Sequence, residues 1–226
     1  MTLKINSVPQ LVDLVRKEKI TFTNSLVSDG TVTLSDTLSV AGATTLSSTL
    51  STTGACDLAT TAQMTAGTGI TTGTGTLYKS SVITKGNIIY TNILIDMTGL
   101  TSAGTLGDII GVNDAANCHL GQITAAINGT IMGGTMTCLE APDGGEVDID
   151  IYTATVATGT ENAAIGDLTE TAVLSTGADW ATGTVKAFGD VSANGYLYLT
   201  VGTSSSPTAG NYTAGRFIIQ MWGYAA

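Results

Sequence analysis

Between Phe22 and Gly69 the apolar positions keep to one parity. Phe22, Leu26, Val32, Leu34, Leu38, Val40, Leu46, Leu50, Leu58 and Met64 all carry even numbers, and Val27 is the one sizeable apolar residue that departs. A period of two means extended chain with a single apolar face. The same stretch is an internal repeat of twelve residues, FTNSLVSDGTVT, LSDTLSVAGATT, LSSTLSTTGACD and LATTAQMTAGTG. Gly30, Gly42 and Gly54 hold the ninth position, where a turn between strand pieces is expected, and Ala66 replaces glycine in the last, degraded unit.

Such a segment does not close its own core. Ordering the backbone costs roughly 1–2 kcal/mol per residue, whereas each apolar side chain returns about 1.5–3 kcal/mol when fully buried, and only about one residue in four here is apolar. A unit of twelve is also short for one coil of a solenoid, where about 20 or more residues are usual. The expected partner is another copy of the chain, with three copies wound about one axis and the even-numbered residues inward. A Thr/Ser linker without fixed structure is the competing reading.

Upstream, residues 7–19 read as a short helix capped by Ser7, with Pro9 in the first turn and Leu11, Leu14 and Val15 on one face. A helix this short needs a surface to dock on. Downstream of the Gly/Thr stretch 66–76 the pattern changes to longer, bulkier strands. Candidates are 77–84, 87–97, 106–112, 119–127, 130–140, 146–157, 171–175, 182–188, 195–202 and 211–223. Asn128-Gly129 signals a hairpin and Pro142-Asp143-Gly144 a second turn. From Glu146 onward, Val147, Ile149 and Ile151 oppose Glu146, Asp148 and Asp150, as in a sheet with one wet face. The final strand is apolar on both sides, Phe217, Ile219 and Met221 against Ile218 and Trp222, which calls for a central strand or a covered outer face.

The expected fold is therefore mainly β. It comprises an anchor helix in 1–21, a trimeric repeat stalk in 22–69, a Gly/Thr linker in 70–76 and an antiparallel, jelly-roll-like β-sandwich in 77–226. Composition agrees, with 28 glycines and only 12% charged residues.

Charge narrows the partners. The first nineteen positions hold four basic residues, Lys4, Arg16, Lys17 and Lys19, against two acids, and the remainder holds four against sixteen. A basic N-terminal piece on an acidic body reads as an attachment element, with Lys4, Leu11, Leu14, Val15, Arg16, Lys17 and Lys19 as its residues; an ordinary solvated helix face is the alternative. The body should repel nucleic acid and anionic lipid. Neither a membrane-spanning run nor a signal-peptide pattern is visible, so synthesis in the cytosol is expected.

Candidate chemistry is sparse. His119 is the single histidine, and it has no nucleophile motif beside it. Cys56, Cys118 and Cys138 lack metal-ligand spacing and read as buried thiols. No phosphate-binding loop is present, so no cofactor is expected. The acidic cluster Glu140, Asp143, Glu146, Asp148 and Asp150 leaves three readings, of which a solvated strand face is favoured. A calcium site is the second, since hard oxygens suit that ion, and a glycan-cleaving carboxylate pair is the third.

Residues 33–55, TLSDTLSVAGATTLSSTLSTTGA, resemble the Leu/Val-Ser-Thr-Gly repeats of tailed-phage head-fibre and tail-fibre proteins. The resemblance covers about a tenth of the chain and carries no catalytic residues. It implies an elongated homotrimer on the virion, a capsid decoration, cement or head-fibre protein held by the major capsid protein or another virion protein. A short tail fibre or receptor-binding spike is the alternative. A spike domain that binds or cleaves a host surface glycan is a further one, and its sign would be a carboxylate-lined groove beside Tyr196, Tyr198 and Trp222.

Overall fold

The structure is a computed structural model, and it describes residues 63–175, 178–189, 191–202 and 206–225. The anchor helix and all of the predicted stalk before residue 63 lie outside the described residues. Within them the chain forms an antiparallel β-sandwich, as its alternating strands predict.

One sheet has five strands in the order β1 (Leu77–Lys85), β2 (Ile88–Asp96), β11 (Ala214–Tyr224), β5 (Thr130–Asp143) and β8 (Val185–Phe188). The other has four, ordered β4 (His119–Gln122), β9 (Tyr196–Val201), β6 (Ile149–Ala154) and β7 (Glu170–Leu174). Two-residue strands β3 (Thr101–Ser102) and β10 (Gly210–Asn211) pair separately. With β1 and this small pair set aside, the chain crosses from one sheet to the other at β2 to β4, β4 to β5, β5 to β6, β7 to β8, β8 to β9 and β9 to β11. That alternation is the jelly-roll order, eight strands in two interleaved Greek keys.

The inner faces arise from period two. Ile93, Ile95, Met136, Phe217, Ile219 and Met221 of the first sheet meet Ile149, Ile151, Leu197 and Leu199 of the second, all at most 1% exposed. Trp180 closes the core edge-on to Phe217, with ring centroids 5.3 Å apart, and donates its indole N–H to the Ile149 carbonyl at 2.8 Å. β11 is the central strand, one of the two arrangements its two apolar sides suggested.

Three sequence expectations are corrected. Residues 106–112 form only isolated bridges: Asp108, Ile109 and Gly111 each pair singly, and the two isoleucines serve different cores. Asn128-Gly129 is not a hairpin turn. Thr124 caps a single helical turn, α2 (Ala125–Asn128), following the earlier turn α1 (Thr68–Thr71). Asn128 accepts from the Thr124 N–H at 2.9 Å and donates to Thr91 Oγ1 at 2.9 Å, so it pins a crossover between sheets.

The third correction concerns where the sandwich starts. Met64, Ala66 and Ile70 are buried in the sandwich core, so the sandwich includes residues before the expected start at 77, among them Ile70 of the expected linker 70–76. Ser80 Oγ donates to the Met64 carbonyl at 2.7 Å, which lays this segment beside β1. Met64, predicted for a trimer interface, is thus buried within its own protomer.

Candidate interaction face

The outer faces of the two sheets are built differently. On the four-stranded sheet Tyr152, Ala154, Tyr196 and Tyr198 point away from the main core, and loops of the same chain cover them. Ile109, Ala115 and Cys118 from one loop and Ile165 and Leu168 from another make a second small core there. Tyr198 is fully buried; its hydroxyl donates to the Val156 carbonyl at 2.6 Å and accepts from the Gly159 N–H at 3.2 Å. A Cβ on Gly159 would sit 2.7 Å from the Tyr198 ring, so only glycine lets the loop cross this close. Burial pushes the Tyr198 hydroxyl up to about 12 and the Cys118 thiol up to about 11, leaving both protonated at neutral pH.

On the five-stranded sheet the outward rows are assembled across strands. One row is Ile83, Tyr90 and Trp222; the next toward the strand ends is Lys85, Ile88 and Tyr224. A polar row lies in the other direction, where Gln220 donates to Asn92 at 2.9 Å and Asn92 to Ser81 at 3.4 Å. Beyond it run Lys79, Leu94, Ile218, Thr137 and Val185. Two register shifts in the pairing of β5 with β11 leave Met132 and Leu139 as extra residues, and both are exposed, as bulged side chains are re-aimed. Of nine large hydrophobic residues exposed among the described residues, seven belong to this sheet and two, Leu106 and Val156, to loops.

Charge is distributed to match. Lys79, Lys85, Lys186 and Arg216 are the cations among the described residues, and all lie on strands of the five-stranded sheet. Arg216 bonds Asp96 through two guanidinium nitrogens and lies 3.8 Å from Glu140. Burial disfavours the charged form of Asp96, but the bonds from Arg216 and Thr98 outweigh it and hold the carboxyl below its ordinary range. The four-stranded sheet and its covering loops carry acids only, among them Asp114, Asp150, Glu161 and Glu170.

The predicted acidic cluster is dispersed. Glu140 sits on the open face beside Arg216, and Asp143 ends β5, accepting from Thr213 Oγ1 at 3.2 Å. Glu146, Asp148 and Asp150 are at most 2% exposed, which corrects the solvated-face reading. Glu146 accepts from the backbone N–H of Asp148 at 2.9 Å and of Thr208, and Asp150 accepts from Ser175 Oγ at 2.9 Å. The Thr208 N–H, which Glu146 accepts, and Ser102 Oγ, to which the Glu146 backbone N–H donates at 2.9 Å, are both distant in sequence, and strand alternation carried no sign of them. Among the described residues no three His, Cys, Asp or Glu side chains converge as metal ligands would.

The aromatic residues named with that cluster also separate. Trp222 lies on one sheet, Tyr196 and Tyr198 on the other, and Tyr198 is buried. These residues do not form the carboxylate-lined groove that glycan cleavage would need. His119 packs edge-on to Tyr196 with centroids 4.9 Å apart; burial lowers its pKa, and its Nδ1 has no hydrogen-bond partner among the described residues. Cys118 and Cys138 are buried free thiols, and Cys56 lies outside the described residues. No described helix is long and apolar enough to cross a membrane.

The open face was half legible in the sequence. Ile218 and Trp222 gave it away on β11, whereas Ile83, Tyr90, Met132 and Leu139 joined it only through strand pairing and bulges. No protein-family model matches the chain, and no curated protein or solved structure matches it.

Proposed function

We propose that the chain is a structural protein of a virus particle, a homotrimeric capsid-decoration, cement or head-fibre protein of a tailed phage. The observation that carries this reading is the twelve-residue repeat with one apolar parity, set immediately before a jelly-roll domain. Jelly rolls serve capsid and lectin domains alike, and a fold by itself does not give a function. The weight therefore rests on the repeat, which needs other copies to bury its apolar face. An acidic body suits a protein that sits outside packaged nucleic acid rather than on it. Attachment to the major capsid protein falls to the N-terminal residues, Lys4, Arg16, Lys17 and Lys19 with the apolar stripe Leu11, Leu14 and Val15.

Quantitative mass spectrometry of purified particles tests the proposal. Copies in the hundreds per particle are expected for decoration, a dozen or two would move the protein to a tail fibre or spike, and its absence from particles would overturn the reading. Chain lacking residues 1–20 should remain folded and lose particle binding. Full occupancy by that truncated chain would place the anchor elsewhere.

A further inference from the structure

We propose that the outer face of the five-stranded sheet is a second self-association surface, covered by further copies of this chain, so that trimerisation does not depend on the repeat alone. A contiguous exposed apolar patch on a folded domain marks an interaction site. Here the patch has the anatomy of an interface core, with Tyr90, Trp222 and Ile83 adjacent and charged residues set to its margins.

Charge identifies the occupant as the chain itself. Lys79 and Lys85 lie on β1 at one side of the face, while Glu140 and Asp143 lie on β5 at the other. The β1 side of one protomer set against the β5 side of the next pairs these charges and repeats around a ring. The rest of the described surface is acidic, so two copies repel each other least through this face. The number of copies, three, rests on the proposed function; the use of this face does not.

Two measurements on the full-length chain test it. Isotope-labelled and unlabelled protein are mixed, dissociated, reassembled and treated with a carbodiimide, which joins only amines and carboxylates in direct contact. Mixed-label peptides linking Lys79 or Lys85 to Glu140 or Asp143 are expected. In parallel, the contribution of Trp222 is isolated by subtracting the fluorescence of Trp222→Phe, which leaves Trp180 as the one tryptophan. Trp222 is half-buried in the protomer itself, so the comparison is with the protein diluted until it dissociates: acrylamide should quench Trp222 several-fold less in the assembled protein than in the separated protomer. A Trp222 quenched equally in both overturns the proposal, and so do links from this face to the repeat of the same chain. Either result leaves the copy number on particles, and with it the virion reading, untouched.

Discussion

On the four-stranded sheet Tyr198 points outward and is fully buried under loops of its own chain; on the five-stranded sheet Tyr90 points outward and is 43% exposed. Both are large aromatics on a strand of the same sandwich, and both belong to rows of apolar side chains. The difference lies in the connections that adjoin each sheet. Loops 105–118 and 155–168 are long enough to lie over Tyr198 and carry Ile109, Cys118 and Ile165 to pack there. β1 and β2 are joined by a tight turn at Gly86 and Asn87, which has no side chains to spare for Tyr90. The four-stranded sheet is covered within its own protomer, whereas the apolar rows of the five-stranded sheet have no cover among the described residues, and the proposed self-association rests on that difference.

That contrast breaks most sharply at the two tyrosines. Tyr198→Ala should cost about 3–5 kcal/mol, since it empties a packed site and leaves the Gly159 N–H without its acceptor. Tyr90→Ala should change protomer stability by no more than about 0.5 kcal/mol. Any larger apparent loss for Tyr90→Ala should depend on protein concentration, the mark of linked association. Denaturant unfolding at two concentrations reads both, and a concentration-independent loss at Tyr90 would contradict the comparison.

A middle-sized effect belongs to the covered side. Glu146 uses both carboxylate oxygens to accept backbone N–H bonds. Glu146→Gln keeps the size but puts an NH2 against one of those donors, so a loss of about 1–3 kcal/mol is expected. A neutral result would return this residue to the solvated class.

The ionic parts of the two sides should respond to pH in opposite senses. Asp96, held below its ordinary range through Arg216 and Thr98, adds stability that is present above its unfolded value and lost as pH falls through its folded value. Asp108 and Glu161, in the covering loops, are pushed up by burial, so each opposes folding once pH rises above its unfolded value and is relieved on acidification. Arg216→Gln should therefore raise the Asp96 titration midpoint, followed by carboxyl NMR, and leave Glu161 where it is. An Asp96 midpoint that does not move would sink the assignment.

The smallest effect sits at the margin of the open face. Val185 is 59% exposed, and Val185→Ser should shift unfolding of the separated protomer by under about 0.5 kcal/mol.

What the sequence made legible was the side of each strand, because period two is local. The double-sided β11, with Phe217, Ile218, Ile219 and Trp222, left a central position or a covered outer face open, and the sheet order shows the central position. Which strands pair is a long-range matter, and Asn128-Gly129 misled because Asn128 bonds Thr91, from β2, rather than closing a hairpin. Ile109 and Ile110 mimic a strand for a similar reason: adjacent side chains feed two separate cores through a loop. The carboxylates at 146, 148 and 150 alternate like a wet face, yet all three are buried, and Glu146 and Asp150 bond Ser102, Ser175 and Thr208, partners distant in sequence.

The mass of the intact chain in solution, by sedimentation equilibrium or light scattering across a dilution series, bears most directly on the claim that copies of this chain cover one another. The account predicts three 22.9 kDa protomers that dissociate together on dilution. A folded, soluble monomer at the highest concentrations, with Trp222 open to quencher, would contradict it.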